Sequence, residues 1–186
     1  FKSVRGNINT RLSKLDDSEQ GYDCIILAAA GLLRLNLDSR ITQYLNEDIM
    51  YHAVGQGALG IEVRKNDPVL SKVCKEIIHF ESAICCAAER SLLKFLEGGC
   101  SVPVGCKTTY NESNKTLELK AIVLSTDGKE SVEDKLTATV ESIKDAQELG
   151  VSLAKIMIEN GAKKILDEIN FDKINEIKQA GLTNQN

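Results

Sequence analysis

Arginine is concentrated in the first third of the chain, so an anion-binding site is the first chemistry to consider. The arginines before residue 65 are Arg5, Arg11, Arg34, Arg40 and Arg64, and only Arg90 follows. A guanidinium group presents a planar fork of donors that matches a carboxylate or phosphate bidentately. Arg5 also stands just before a predicted helix, where free backbone N–H groups favour an anion. The cluster indicates a polycarboxylate or phosphate site, and the alternative is solvated surface charge on an acidic protein.

Cys100 lies on a turn that its neighbours constrain. It follows Gly98 and Gly99, which carry no side chains, and Pro103 restricts the backbone after it. The preceding segment reads as a helix that ends at the glycines, and the negative end of a helix does not lower the pKa of a thiol. This disfavours a cysteine-protease nucleophile, but it allows a thiol that reacts once with a carbon electrophile and stays attached. The residues alone support an attachment site and a structural loop cysteine equally.

The segment Gly55–Gly60 has the spacing G-x-G-x-x-G. A dinucleotide-binding loop follows a strand and opens a helix, whereas the residues after this motif, Ile61–Arg64, predict a strand. We therefore reject a nicotinamide dinucleotide site. The glycines are expected to let a backbone segment pass closely, with Gln56 able to hydrogen-bond a ligand.

Composition and charge exclude several classes of protein. The 186 residues suffice for one ordinary domain or two small ones. Lys and Arg total 23 against 27 Asp and Glu, a net charge of −4, so no nucleic-acid partner is expected. No apolar run approaches the roughly 20 residues of a membrane helix, so no membrane association is expected either. The six cysteines lack zinc-site spacing, which predicts no metal and indicates reduced thiols in a cytoplasmic protein.

Residues before about position 80 read as part of an α/β lobe. The pattern predicts a helix over 7–17, a buried strand over Cys24–Ala28 with a helix after it, a strand over Leu59–Val63, and a helix from Asp67 to about His79. One or two parallel strands cannot cover both faces of a sheet. This lobe is therefore expected to belong to a larger α/β body whose preceding half is absent.

Residues after position 80 read as a small α+β module. Apolar spacing predicts a long helix over Glu81–Leu96. The period then changes to two, and alternating residues on both sides of an Asp127-Gly128 turn predict an antiparallel meander. A capping box at Ser142 opens a helix that stops at Gly161, and a second helix follows over 163–169. We expect a three-stranded antiparallel sheet with helices on one face.

Four motifs resemble those of the hydroxymethylbilane synthases, also called porphobilinogen deaminases. In chain order they are Arg5-Gly6-Asn7-x-x-Thr10-Arg11-Leu12-x-Lys14-Leu15-Asp16, Ile25-Ile26-Leu27-Ala28-x-Ala30-Gly31-Leu32-x-Arg34, Ala53-Val54-Gly55-Gln56-Gly57-Ala58-Leu59-Gly60 and Leu96-Glu97-Gly98-Gly99-Cys100-x-Val102-Pro103. The resemblance covers about residues 3–170. It implies a transferase of haem biosynthesis that condenses porphobilinogen, with release of ammonia, into the linear tetrapyrrole hydroxymethylbilane.

The resemblance also implies roles for particular residues. Cys100 would carry a dipyrromethane cofactor through a covalent thioether. Arg5, Arg11 and Arg34 would bind the carboxylates of cofactor and substrate, and Gln56 would line the same cleft as a substrate-binding residue. The family's catalytic Asp lies in its first domain and has no match here, so we expect no catalytic residue in this chain and no turnover by the chain alone.

The fold class that the resemblance implies is α/β plus α+β, with lobes like type II periplasmic binding proteins followed by a third, α+β domain. Residues 1–53 would be the C-terminal part of domain 2, 54–80 a return segment of domain 1 with a strand and a helix, and 82–186 the cofactor-bearing C-terminal domain. The implied partners are porphobilinogen and the missing N-terminal region of the same protein, in a cytoplasmic enzyme that is monomeric when complete.

Two other functions are compatible with the residues. A noncatalytic anion-binding protein of the periplasmic type would use the arginines but leave Cys100 unmodified. A stand-alone α+β module would neither bind an anion nor carry an adduct.

Overall fold

The computed structural model describes residues 2–46, 48–96 and 102–169. Contacts divide the chain into two compact units, Phe1–Asn46 and Glu47–Asn186. The assignment of 1–53, 54–80 and 82–186 to three domains stays a prediction.

The first unit is built from short helices. Helix α1 (Ile8–Asp16) begins after Asn7, whose side-chain oxygen accepts a hydrogen bond of 2.8 Å from the Thr10 N–H. This is the arrangement that makes Asn a favoured N-cap. Helix α2 is Ala29–Arg34, and 3-10 turns occupy Ser18–Gln20 and Asp38–Arg40. Leu12 of α1 and Leu32 of α2 are the buried apolar side chains of this unit.

The strands predicted over Cys24–Ala28 and Leu59–Val63 do not form, so that part of the α/β prediction is wrong for the structure described here. Both segments lack regular secondary structure. A strand needs a neighbouring strand to satisfy its backbone groups, and the described residues supply none beside these segments. Several of their apolar side chains accordingly stay exposed, with Leu59 at 83% and Ile61 at 62%. The helix predicted within 54–80 does form, as α3 (Pro68–Ile77) after the Asp67 cap.

The second unit contains the predicted antiparallel meander and two long helices. Its strands are β1 (Val104–Asn111), β2 (Thr116–Leu124) and β3 (Ser131–Thr139), in the order β1-β2-β3, and its helices are α4 (Phe80–Phe95) and α5 (Ile143–Met157). A five-residue π-helical segment, Ile158–Ala162, separates α5 from a last helix over 163–169. The three-stranded sheet is confirmed, as is the capping box that Ser142 and Asp145 form at the start of α5.

The core of this unit lies between the sheet and the two helices. Alternate residues of β2, from Leu117 to Val123, are fully buried, as are Ile84 and Leu92 of α4 and Leu153 of α5. Helices α4 and α5 pack very closely at Gly150, where an added Cβ would lie 2.1 Å from the Ala88 carbonyl oxygen. Among the described residues, none of the helices has the length and apolar character needed to cross a bilayer.

Candidate functional site

Arg11 is held in place by the turn that precedes α1. It is half-buried, and its Nε donates a hydrogen bond of 2.7 Å to the Gly6 carbonyl. Lys14 supports the same turn, because its Nζ donates to the Arg5 carbonyl at 3.1 Å. Because this contact occupies Nε, the two terminal amino groups are the donor pair that remains for a bidentate contact with a carboxylate.

The predicted site arginines differ from the other arginines of the first third in their ion pairing. Arg40 is paired with Asp16 at 2.5 Å, and Arg64 lies 3.8 Å from Asp67. Within the described part of the chain, no ion pair involves Arg5, Arg11 or Arg34, and Arg5 and Arg34 are exposed. The structure thus separates the arginine cluster into two paired members and three that have charge available for a ligand.

The helices that carry these arginines touch near their first turns. The Ile8 side chain at the start of α1 occupies the space next to Gly31 in α2, where an added Cβ would lie 2.7 Å from Ile8 Cδ1. Arg34 is one turn further along α2, in its last turn. This contact fixes α1 and α2 against each other inside the first unit, so that Arg11 and Arg34 belong to one packed body.

Gln56 lies in the second unit, at the centre of a tight turn. Gly55 and Gly57 on either side of it have φ angles of +71° and +82°, a conformation that favours glycine. The Gln56 N–H donates to the Ala53 carbonyl at 2.9 Å, and the Gln56 side chain is exposed. No helix opens directly after the motif, and α3 begins only at Pro68. The two glycines make the backbone conformation of the turn possible, and the turn leaves the Gln56 side chain exposed to solvent.

The turn is attached to α4 through Glu89, a residue that the sequence analysis missed. Glu89 is only 9% exposed; its Oε2 accepts from the Gly55 N–H at 2.7 Å and its Oε1 accepts from the Thr108 hydroxyl. The available signal was a carboxylate within the apolar face of α4, four residues after Cys85 and three before Leu92. A buried carboxylate needs such hydrogen-bond donors, because they replace the hydrogen bonds that the carboxylate would otherwise make with water.

Three of the cysteines are placed as packing residues. Burial raises the pKa of the Cys85, Cys86 and Cys106 thiols, and the Glu89 carboxylate raises each of them further. Since the thiolate is the reactive form, these side chains are poor nucleophiles at neutral pH.

Cys100 lies outside the described residues, and its predicted role stays a prediction. On either side of its segment, Leu96 is buried in the core, and the Pro103 carbonyl accepts a hydrogen bond of 3.0 Å from the Leu124 N–H.

Comparisons with known proteins agree with the motifs. The family model described as porphobilinogen deaminase, dipyromethane cofactor binding domain, matches residues 1–72, and the one described as porphobilinogen deaminase, C-terminal domain, matches residues 83–159. Porphobilinogen deaminase of Saccharomyces cerevisiae is 57% identical over 94% of this chain and 54% of its own length. The protein of the same name from Candida albicans is 50% identical over 93% of this chain and 50% of its own length. The chain spans about half the length of these curated relatives, and it belongs to the porphobilinogen deaminase family.

Proposed function

We propose that this chain is part of a transferase that condenses porphobilinogen units, with release of ammonia, into the linear tetrapyrrole hydroxymethylbilane. The observation that carries the proposal is a group of three arginines, Arg5, Arg11 and Arg34, that form no ion pair with any described residue and lie inside the segment that matches the cofactor-binding family model. The activity is that of the whole protein, because the chain spans only about half the length of its relatives.

The donor set fits a dipyrromethane cofactor. Each pyrrole unit of such a group carries acetate and propionate side chains, which are anions at neutral pH. Arg11 offers a bidentate donor pair in its two terminal amino groups, and Arg5 and Arg34 offer exposed guanidinium groups. These three residues would hold the carboxylates, and Gln56 would add a hydrogen bond to the substrate. When bound, the cofactor supplies the pyrrole carbon to which the next unit is joined.

Cys100 is the proposed point of covalent attachment. Burial removes Cys85, Cys86 and Cys106 from consideration, because each of these thiols has a raised pKa and is at least half-buried. Cys100 follows two glycines, which carry no side chains, and the described residues on either side of its segment are anchored at Leu96 and Pro103. We propose a thioether from its sulfur.

The first unit and the segment 54–80 are proposed to complete larger α/β lobes of the periplasmic-binding-protein type. Apolar side chains that such a body would cover are exposed in this structure, among them Ile26, Leu59 and Ile61 and the α3 residues Val69 and Val73. A cytoplasmic location is part of the proposal, supported by the fact that the five described cysteines are all free thiols.

Mass spectrometry of the freshly purified full-length protein tests the proposal. We expect the intact mass to exceed the sequence mass by one dipyrromethane, and the addition to map to the peptide that contains Cys100. The Cys100→Ser variant should lack it, and the control variant Cys24→Ser, at an exposed cysteine, should keep it. An unmodified Cys100 peptide, or an adduct on another cysteine, would show that the proposed attachment is wrong.

A further inference from the structure

Glu89 is the buried charged residue of the described chain, and the function proposed above gives it no role. Both of its carboxylate oxygens are used: the Gly55 N–H donates to Oε2 at 2.7 Å, and the Thr108 hydroxyl donates to Oε1. Thr108 is on β1 and Glu89 is on α4, so the carboxylate joins the sheet, the helix and the loop before Gln56. Its charge strengthens each bond, since hydrogen bonds to an ionised acceptor are shorter and stronger than neutral ones.

The loop that Glu89 holds is attached at two further points. His52 forms an antiparallel bridge with Cys106 of β1, in which the Cys106 N–H donates to the His52 carbonyl at 2.8 Å. The Tyr51 hydroxyl donates to Glu133 at 2.8 Å, and Gly105 leaves the space that the Tyr51 ring needs. We call residues 51–55 the strap. It runs from the sheet to α4, and Glu89 makes its last contact before Gln56.

The backbone on either side of Gln56 then has little freedom. The Gly55 N–H is bound to Glu89, the Gln56 N–H is bound to the Ala53 carbonyl, and the Ala58 N–H is bound to the Gly55 carbonyl at 3.1 Å. Gly55 and Gly57 supply the two positive φ angles that the turn requires. The backbone position from which the exposed Gln56 side chain extends is therefore fixed by hydrogen bonds of this turn, among them the bond from Gly55 to Glu89.

We propose that Glu89 is a positioning residue for substrate binding: through the Gly55 N–H, its carboxylate fixes the turn that presents Gln56. The inference rests on the proposed function, in which Gln56 binds substrate. Glu89 acts through the turn and does not itself touch the substrate. A carboxylate that only stabilised the α+β unit would affect the free energy of unfolding, but it would have no specific coupling to Gln56.

The first experiment measures the turn directly. In the full-length protein, hydrogen–deuterium exchange of the peptide covering 54–58 is followed by mass spectrometry. Glu89→Gln keeps the shape of the side chain but removes its charge, and we expect this peptide to exchange faster, on the order of tenfold. Glu81→Gln, on the exposed face of the same helix, is the matched control and should leave the exchange unchanged. Unaltered exchange in Glu89→Gln would overturn the proposal.

The second experiment measures the coupling to Gln56. We expect Glu89→Gln to raise the KM for porphobilinogen on the order of fivefold with little change in kcat, and to have no further effect on KM in a Gln56→Ala background. Equal effects of Glu89→Gln in both backgrounds would mean that Glu89 does not act through Gln56. If Glu89→Gln does not fold, Thr108→Val removes one of the two donors and should give a smaller change of the same kind.

The outcomes distinguish this inference from the proposed function. If Gln56→Ala leaves KM unchanged while the Cys100 adduct and the activity are present, the positioning role is wrong and the proposed function stands. If the wild-type protein shows neither adduct nor activity, the proposed function fails, and the role of Glu89 in substrate binding fails with it.

Discussion

Replacing Gly150 by alanine tests the close packing of α4 against α5. A Cβ at this position would lie 2.1 Å from the Ala88 carbonyl oxygen and 2.2 Å from Ser91 Oγ. Non-bonded heavy atoms in favourable van der Waals contact lie about 3.5 Å apart. The two helices must therefore move apart by roughly 1.4 Å, because the obstacle is the backbone of α4 and not the end of a flexible side chain.

The size of the effect follows from three contributions. Alanine favours a helix interior over glycine by about 1 kcal/mol. Overpacking of a tight core costs about 1–3 kcal/mol. Separation of the helices also lengthens the 2.9 Å hydrogen bond that the Ser91 hydroxyl donates to the Gln147 carbonyl, which is worth about 1 kcal/mol. The net expectation is a loss of about 1–3 kcal/mol in the free energy of unfolding.

Urea unfolding followed by circular dichroism measures this loss. Gly60→Ala is the matched control, because a Cβ at Gly60 meets open space, and its free energy of unfolding should stay within about 0.5 kcal/mol of wild type. A Gly150→Ala protein as stable as wild type, or more stable, would refute the close contact between the two helices.

Three further predictions concern the first unit, acid stability and the thiols. Arg11→Ala should weaken porphobilinogen binding by the full-length protein by roughly 10- to 100-fold, because a bidentate, charge-assisted contact with a carboxylate is lost. Arg40→Ala, at an arginine already paired with Asp16, should not weaken binding. Equal losses of affinity in the two variants would contradict the proposed role of Arg11. The Ser142 hydroxyl and nearby backbone N–H groups lower the pKa of Asp145. The Asp145 carboxylate therefore contributes to stability above the pKa of an unfolded Asp, and this contribution is lost as pH falls through the pKa of the folded state. Between about pH 5 and pH 2, the denaturation midpoint of Asp145→Asn should fall less steeply than that of wild type. Burial raises the pKa of the Cys106 thiol, so iodoacetamide at pH 7.5 should alkylate Cys24 well before Cys106, and peptide mapping that finds equal rates would argue against a buried thiol.

The second unit could be predicted from sequence because its elements find their partners within the chain. The alternation from Leu117 to Val123 predicted a strand with one buried face, and that face meets α4 and α5. Cys24–Ala28 has an equally clear strand pattern, yet the described residues offer it no neighbouring strand. Local pattern predicts the preference of a segment, and pairing decides whether the preference is realised.

The residue types of the candidate site could be proposed from the sequence, and their role stays a prediction, but their contacts could not be foreseen. The arginine cluster indicated an anion site, but its separation into paired and unpaired members depends in part on Asp16, which lies 24 residues before Arg40. Glu89 was missed because helical periodicity counts apolar positions, and one carboxylate among them reads as an interruption. Its partners, Gly55 and Thr108, are 34 and 19 residues away, so spacing gave no indication of the contact.

The bridge between His52 and Cys106 also bears on how the protein behaves at high concentration. Within the described part of the chain, β1 is an edge strand of the sheet, and an edge strand with unpaired backbone groups can pair with a strand of another protein molecule. The His52 backbone occupies the amide and carbonyl of Cys106, so an incoming strand would first have to displace the strap. Solubility and the geometry around Gln56 thus depend on the same few residues, and a substitution that loosens the strap would promote aggregation and also disturb the turn at Gln56.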